Sequence, residues 1–151
     1  MNKCLLSSIA KVPSKWKSNA RIYGEACEYW VESNISCPSC GGALVKLSAN
    51  EKSVDHKCSN CEEKYQTKAS KSKIFKKDGS VSITGAEYKT TLSKVGKWGI
   101  IVIHYCPSTN RVLEHKTFSK DKIDASCIIP RKPLGPNARR AGWQGCYIKI
   151  K

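Results

Sequence analysis

Between residues 14 and 33, apolar side chains return at three- and four-residue steps: Trp16, Ala20, Tyr23, Ala26, Cys27 and Trp30. That period predicts an amphipathic helix over 14–33, with Gly24 its weakest position. After a Cys-Pro-Ser-Cys-Gly-Gly turn the pattern shortens, and 43–47, 53–57 and 64–69 read as short strands. A lysine-rich loop and another short strand are expected over 71–83. Thr84 followed by Glu87 has the form of a capping box, which predicts a helix from Thr84 to Val95, closed by Gly96. Residues 98–105 form a continuous apolar run, as in a strand buried on both faces. Residues 111–118 alternate, as a half-buried neighbour does. The predicted order is helix, three strands, helix, strand and a β-rich tail.

Composition adds bounds to this pattern. A chain of 151 residues, 40% of them hydrophobic, fits one globular domain with a modest core. No stretch reaches the roughly 18 apolar residues of a membrane-spanning helix. The apolar patch from Leu5 to Ala10 is short and broken by Ser7 and Ser8, unlike a secretory signal, so a cytoplasmic protein is expected. The 27 Lys and Arg against 12 Asp and Glu give a net charge of +15. Such an excess favours a polyanionic partner, nucleic acid first. A generally solvated basic surface is the plain alternative.

Four of the nine cysteines form two Cys-x-x-Cys pairs, Cys37/Cys40 and Cys58/Cys61, separated by 17 residues. Four thiolates at this spacing can close a tetrahedron around zinc and leave no open position for water, which predicts a structural Zn²⁺ site. The zinc-binding element is expected at about 36–62. Pro38 and Gly41-Gly42 suit the tight knuckle around the sulfurs. The isolated cysteines (Cys4, Cys27, Cys106, Cys127, Cys146) read as small core residues.

A second constellation surrounds that element. Asp55 precedes the second cysteine pair, and Gln66 and Lys68 follow it two residues apart, so on a strand they share a face. If the Asp55 segment pairs with that strand, three polar groups meet at one end of a sheet. Phosphodiester hydrolysis uses such a set: hard oxygen ligands for Mg²⁺ and a lysine to place the attacking water. Ordinary solvent-facing strand positions are the alternative. An amide at Gln66 is still a hard ligand but brings no charge, so weaker Mg²⁺ binding is expected.

The segment Arg131-Lys132-Pro133-Leu134, continued by Ala138-Arg139-Arg140-Ala141-Gly142-Trp143 and Gly145-Cys146, resembles the DpnI family of restriction endonucleases. Ala20-Arg21-Ile22, Trp30-Val31-Glu32, Cys37-Pro38-x-Cys40-Gly41 and the run from Val54 to Lys68 share that resemblance, which covers roughly residues 15–150. It implies an α/β (α+β) fold with a PD-(D/E)xK restriction-endonuclease-like core, a mixed sheet flanked by helices, and a Cys4 zinc-ribbon insertion. It implies a Mg²⁺-dependent nuclease cutting double-stranded DNA, of bacterial or phage origin, acting as a monomer or a transient dimer on DNA. Asp55 and Lys68 match the family's catalytic aspartate and lysine. Gln66 stands where the family has glutamate, although Mrr-like branches of the superfamily carry glutamine there. The family's winged-helix domain is expected to be absent. Reading of adenine-methylated GATC is implied for the family.

Arg131, Lys132, Arg139 and Arg140 are candidate DNA-binding residues, phosphate contact being the first expectation for the arginines. Trp143 is either a base or methyl contact or a core anchor. Lys71 and Lys73 are candidates for a phosphate track beside the active site, or a solvated loop. The rival class is a non-catalytic zinc-ribbon protein that binds DNA; a zinc-ribbon RNA- or ribosome-binding protein is a third.

Overall fold

Ser18 is extended (φ −72°, ψ 120°), and the helix it opens runs Asn19–Asn34. The expected helix therefore begins five residues later than its apolar period suggested. Residues 13–16 instead close a turn, with the Trp16 N–H on the Pro13 carbonyl at 3.1 Å, so Trp16 leaves the helical stripe. The computed structural model describes residues 4–47, 54–131 and 145–150. The elements are α1 (Leu6–Ile9), α2 (Asn19–Asn34), β1 (Leu44–Lys46), β2 (His56–Cys58), β3 (Lys64–Ser70), β4 (Val81–Glu87), α3 (Tyr88–Ser93), β5 (Gly99–Cys106), β6 (Arg111–Phe118), β7 (Ile128–Pro130) and β8 (Gly145–Ile150). They gather into two compact units, 1–73 with 98–119 and 74–97 with 120–151.

The first unit holds a five-stranded sheet in the order β1-β2-β3-β5-β6. Its ladders are antiparallel except β3 with β5, which run parallel from Tyr65↔Gly99 to Ser70↔His104. A parallel pair needs a long crossover, and residues 71–98 supply it. The sheet is therefore mixed, as the resemblance implied. Helix α2 buries Ala26, Cys27, Trp30 and Val31. Cys27, Trp30 and Val31 join Leu5, Leu44, Cys58, Tyr65, Ile101, Ile103, Tyr105 and Val112 in one core. Truncating Trp30, 1% exposed, to alanine would cost about 3–5 kcal/mol. Residues 100–103 of β5 are buried throughout, as a strand covered on both faces must be. Its first residue has to be glycine, because a Cβ at Gly99 would lie 2.6 Å from both the Phe118 carbonyl oxygen and the Tyr65 ring.

In the second unit β4, β8 and β7 form an antiparallel sheet in that order, burying Val81, Ile83, Ile128, Cys146, Ile148 and Ile150. The capping-box expectation fails here. Thr84 pairs with Tyr147 in the β4–β8 ladder, and the helix starts only at Tyr88, after Glu87. A partner strand takes the backbone bonds that a cap would have used. Gly96, at φ +80°, does close the turns that follow α3. Among the described residues no helix is long and apolar enough to cross a membrane.

Candidate active site and metal centre

The two cysteine pairs converge. The Sγ atoms of Cys37, Cys40, Cys58 and Cys61 all lie within 4.8 Å of one another, with Cys37–Cys61 at 3.6 Å and Cys40–Cys58 at 3.4 Å. Four sulfurs around a tetrahedral Zn²⁺, each about 2.3 Å from the metal, stand nearly this far apart. Backbone amides turn toward the sulfurs: Gly42 N–H meets Cys40 Sγ, and Asn60 and Cys61 N–H meet Cys58 Sγ, each at 3.4 Å. Gly42 is required there, since a Cβ would sit 2.9 Å from the Asn60 Cβ and 3.0 Å from Cys58 Sγ. The Asn60 side chain and the Gly42 amide pull the Cys40 thiol down to about 6. At Cys61 the Glu63 amide favours the thiolate, but lost solvation and the three neighbouring sulfurs outweigh it and push the thiol up to about 12. Four sulfurs so close cannot all ionise unaided; a shared divalent cation lets them. The donor set thus suits zinc.

The cluster is tied to the sheet. Cys58 ends β2 and Cys61 lies in the turn to β3, where Cys58 N–H binds the Glu63 carbonyl at 2.8 Å. The hairpin sets His56 opposite Tyr65. One residue before His56, Asp55 leaves the ladder. Its N–H binds the Tyr65 carbonyl at 3.0 Å, and its Oδ2 accepts the Thr67 N–H at 2.8 Å. The sheet register therefore brings the Asp55 carboxylate beside β3 at the residue between Gln66 and Lys68. By strand alternation Tyr65 and Thr67 face α2, while Gln66 and Lys68, both half-buried, project from the other face. Asp55 meets β3 at mid-strand, through the backbone N–H of Thr67.

Helix α2 contributes acids that its apolar period did not mark. Glu28 is hydrogen-bonded to Asp55; burial first, then the charges of Asp55 and Glu25, raise Glu28 to about 8. Lys46 Nζ bridges Glu25 at 2.5 Å and Glu28 at 3.9 Å, and the Lys46 N–H binds Glu32 Oε2 at 2.7 Å. The spacing of Glu25, Glu28 and Glu32 was the available signal, since steps of three and four put all three on one helix face. Between them His56, fully buried, places Nε2 on the Glu28 carbonyl at 2.9 Å and Nδ1 by Thr67 Oγ1 at 3.2 Å. A carbonyl only accepts, so Nε2 carries the proton, and burial keeps the ring neutral.

Of the candidate DNA-binding residues, Lys71 and Lys73 are exposed just beyond β3. Arg131 follows β7, with its N–H on the Gly145 carbonyl at 3.1 Å and its guanidinium 5.9 Å from the Tyr147 ring centre. Lys132, Arg139, Arg140 and Trp143 lie outside the described residues. Cys27, Cys127 and Cys146 are buried as expected, but Cys4 and Cys106 are only half-buried and are not core residues.

A mixed sheet whose Asp55 hairpin carries Cys58 and Cys61, two of four cysteines placed to hold a zinc ion, defines an α/β protein with a candidate metal centre. A sequence model of the DpnI, Dam-replacing family matches residues 6–151, and the chain belongs to that family. Membership carries a nuclease role of the restriction type, with DNA as substrate.

Proposed function

We propose that the chain is a Mg²⁺-dependent endonuclease of the PD-(D/E)xK type that cuts double-stranded DNA at an adenine-methylated site, with a structural zinc in its knuckle. The observation that carries this reading is the Asp55 carboxylate hydrogen-bonded to the backbone between Gln66 and Lys68, beside the half-buried Glu28. Asp55 and Glu28 lie together while the nearby lysine, Lys46, is closest to Glu25, so the spot is short of positive charge, which suits a hard divalent cation. Asp55 and Gln66 are the residues to hold it. When bound, Mg²⁺ supplies charge to a phosphate oxygen and to the leaving group.

The chain's own residues do the rest. Thr67 N–H fixes one oxygen of Asp55 in place. Lys68, on the same strand face as Gln66, orients the attacking water and balances the charge that develops on the phosphate. The sulfur knuckle holds the hairpin on which both strands depend. Lys71, Lys73, Arg131, Lys132, Arg139 and Arg140 contact phosphates, and Trp143 reads the methylated base.

The test is digestion of adenine-methylated and unmethylated plasmid with Mg²⁺ or with a chelator. Cleavage of the methylated plasmid alone, dependent on metal, is expected. Asp55→Asn should lower the rate at least about 100-fold while DNA binding persists, because an amide oxygen still accepts the Thr67 N–H but loses the charge. Retained binding with no cleavage under any divalent metal would reject the enzyme and leave a non-catalytic zinc protein that binds DNA.

A further inference from the structure

The first 24 residues contain five lysines and arginines and no acid; the first carboxylate is Glu25. Four of those cations, Lys11, Lys15, Lys17 and Arg21, lie around the turn that leads into α2, and its Trp16 is displaced from the core stripe. Arg21 lies over the Trp16 ring, with Cζ 3.7 Å from the centroid. Its position is unusual for a helix. A cation in the first turn opposes the helix dipole, so Arg21 contributes nothing favourable to α2 there. Its natural partner four residues on is Glu25, which Lys46 already binds at 2.5 Å. Among the described residues no carboxylate lies within 4.0 Å of Arg21.

A hollow of about 610 Å³ opens at this corner, lined by Pro13, Lys15, Trp16, Lys17, Ser18 and Arg21. It has no acidic wall. Pro13 and Trp16 also border a second hollow of about 490 Å³ that extends to Lys46 and Leu47. Leu47 N–H is bound to the Asp55 carbonyl at 2.8 Å, so the second hollow borders the segment that carries Asp55. Glu25 and Glu32 line the second hollow, but Lys46 engages both. The anionic ligand is therefore directed to the first.

We infer that Arg21, held over the Trp16 ring and flanked by Lys15 and Lys17, is a clamp for backbone phosphate of duplex DNA entering the Asp55 site. The inference rests on DNA being the substrate of that site. Stacking on an aromatic face fixes the guanidinium plane and leaves its edge N–H groups to grip a phosphate in two-pronged fashion. Lysine cannot reproduce that plane.

The test is binding of the full chain to a short duplex, followed by fluorescence anisotropy without added Mg²⁺ and without chelator, over about 50 to 200 mM salt. Arg21→Gln should reduce the salt slope by about one and weaken binding about tenfold at the lower salt. Arg21→Lys should restore the slope but not the whole affinity. Lys15→Gln with Lys17→Gln, in the exposed turn, should reduce the slope by about two and keeps the test independent of α2 folding. Unchanged slopes in Arg21→Gln and in the double lysine variant would overturn the clamp, as would a preference for RNA over duplex DNA. A wild-type chain that binds DNA with the expected slope losses but never cuts it would sink the nuclease reading and leave the clamp standing. A chain that cuts DNA normally while both variants bind as wild type would do the reverse.

Discussion

Removing zinc from the knuckle is the most informative perturbation. Cys37 and Cys58 are 2% and 0% exposed and sit in the same core as Leu44 and Tyr65, whose hydroxyl lies 3.6 Å from Cys37 Sγ. Losing the ion would leave four thiols in van der Waals range, two of them buried, with no cation to share. A structural zinc contributes about 10 kcal/mol or more of apparent binding energy. Whole domains are stable by only about 5–15 kcal/mol. If only about 3 kcal/mol of that coupling reaches the first unit, its melting temperature should fall by about 12 °C or more. Protein purified without added metal should contain close to one zinc per chain by elemental analysis. A strong chelator should then lower the melting temperature followed by circular dichroism, and Cys58→Ser should reproduce the fall. Gly42→Ala should act in the same direction, because its Cβ meets Cys58 Sγ at 3.0 Å. A metal content far below one per chain, or a melting curve indifferent to the chelator, would refute the reasoning.

Two further outcomes follow from individual side chains. Gln66→Glu adds a charge to the proposed Mg²⁺ site and should lower the Mg²⁺ concentration for half-maximal cleavage about tenfold, worth about 1.4 kcal/mol; a titration that does not move would remove Gln66 from the metal. The Cys106 thiol, 3.1 Å from Ser108 Oγ, is drawn down to about 7 by the Ser108 and Thr109 hydroxyls, whereas burial pushes Cys27 up to about 12. A lowered pKa means more thiolate at neutral pH, so alkylation of Cys106 should rise with a midpoint near pH 7, and Ser108→Ala should move that midpoint to higher pH. Peptide mass spectrometry reads both, and Cys27 should stay unmodified.

The sequence made some elements plain and concealed others for physical reasons. The Ile- and Val-rich run of β5 and the alternation of β6 were legible because burial on two faces or one leaves a direct mark on side-chain type. The zinc knuckle was legible because soft-metal coordination dictates both residue type and spacing. The Thr84–Glu87 signature misled: a local hydrogen-bond pattern yields to a strand ladder formed with residues more than 60 positions away. Trp16 misled in the same way, since its apolar ring fitted the helical period but is covered by Arg21 instead of the core. Asp55 could be singled out by its spacing from Gln66 and Lys68. Glu28 could not, because only the packing of α2 against the sheet brings the two carboxyl groups together.

The hairpin that carries both the knuckle and Asp55 also restricts how this chain can change length. From Cys58 to Gln66 every residue is counted twice, once by the sulfurs and once by the strand pairing. Deleting or inserting a single residue there would exchange the two faces of β3 and turn Gln66 and Lys68 inward. Single-residue indels in this stretch should therefore be purged from any library selected for function, while the lysine-rich loop after Ser70 tolerates them.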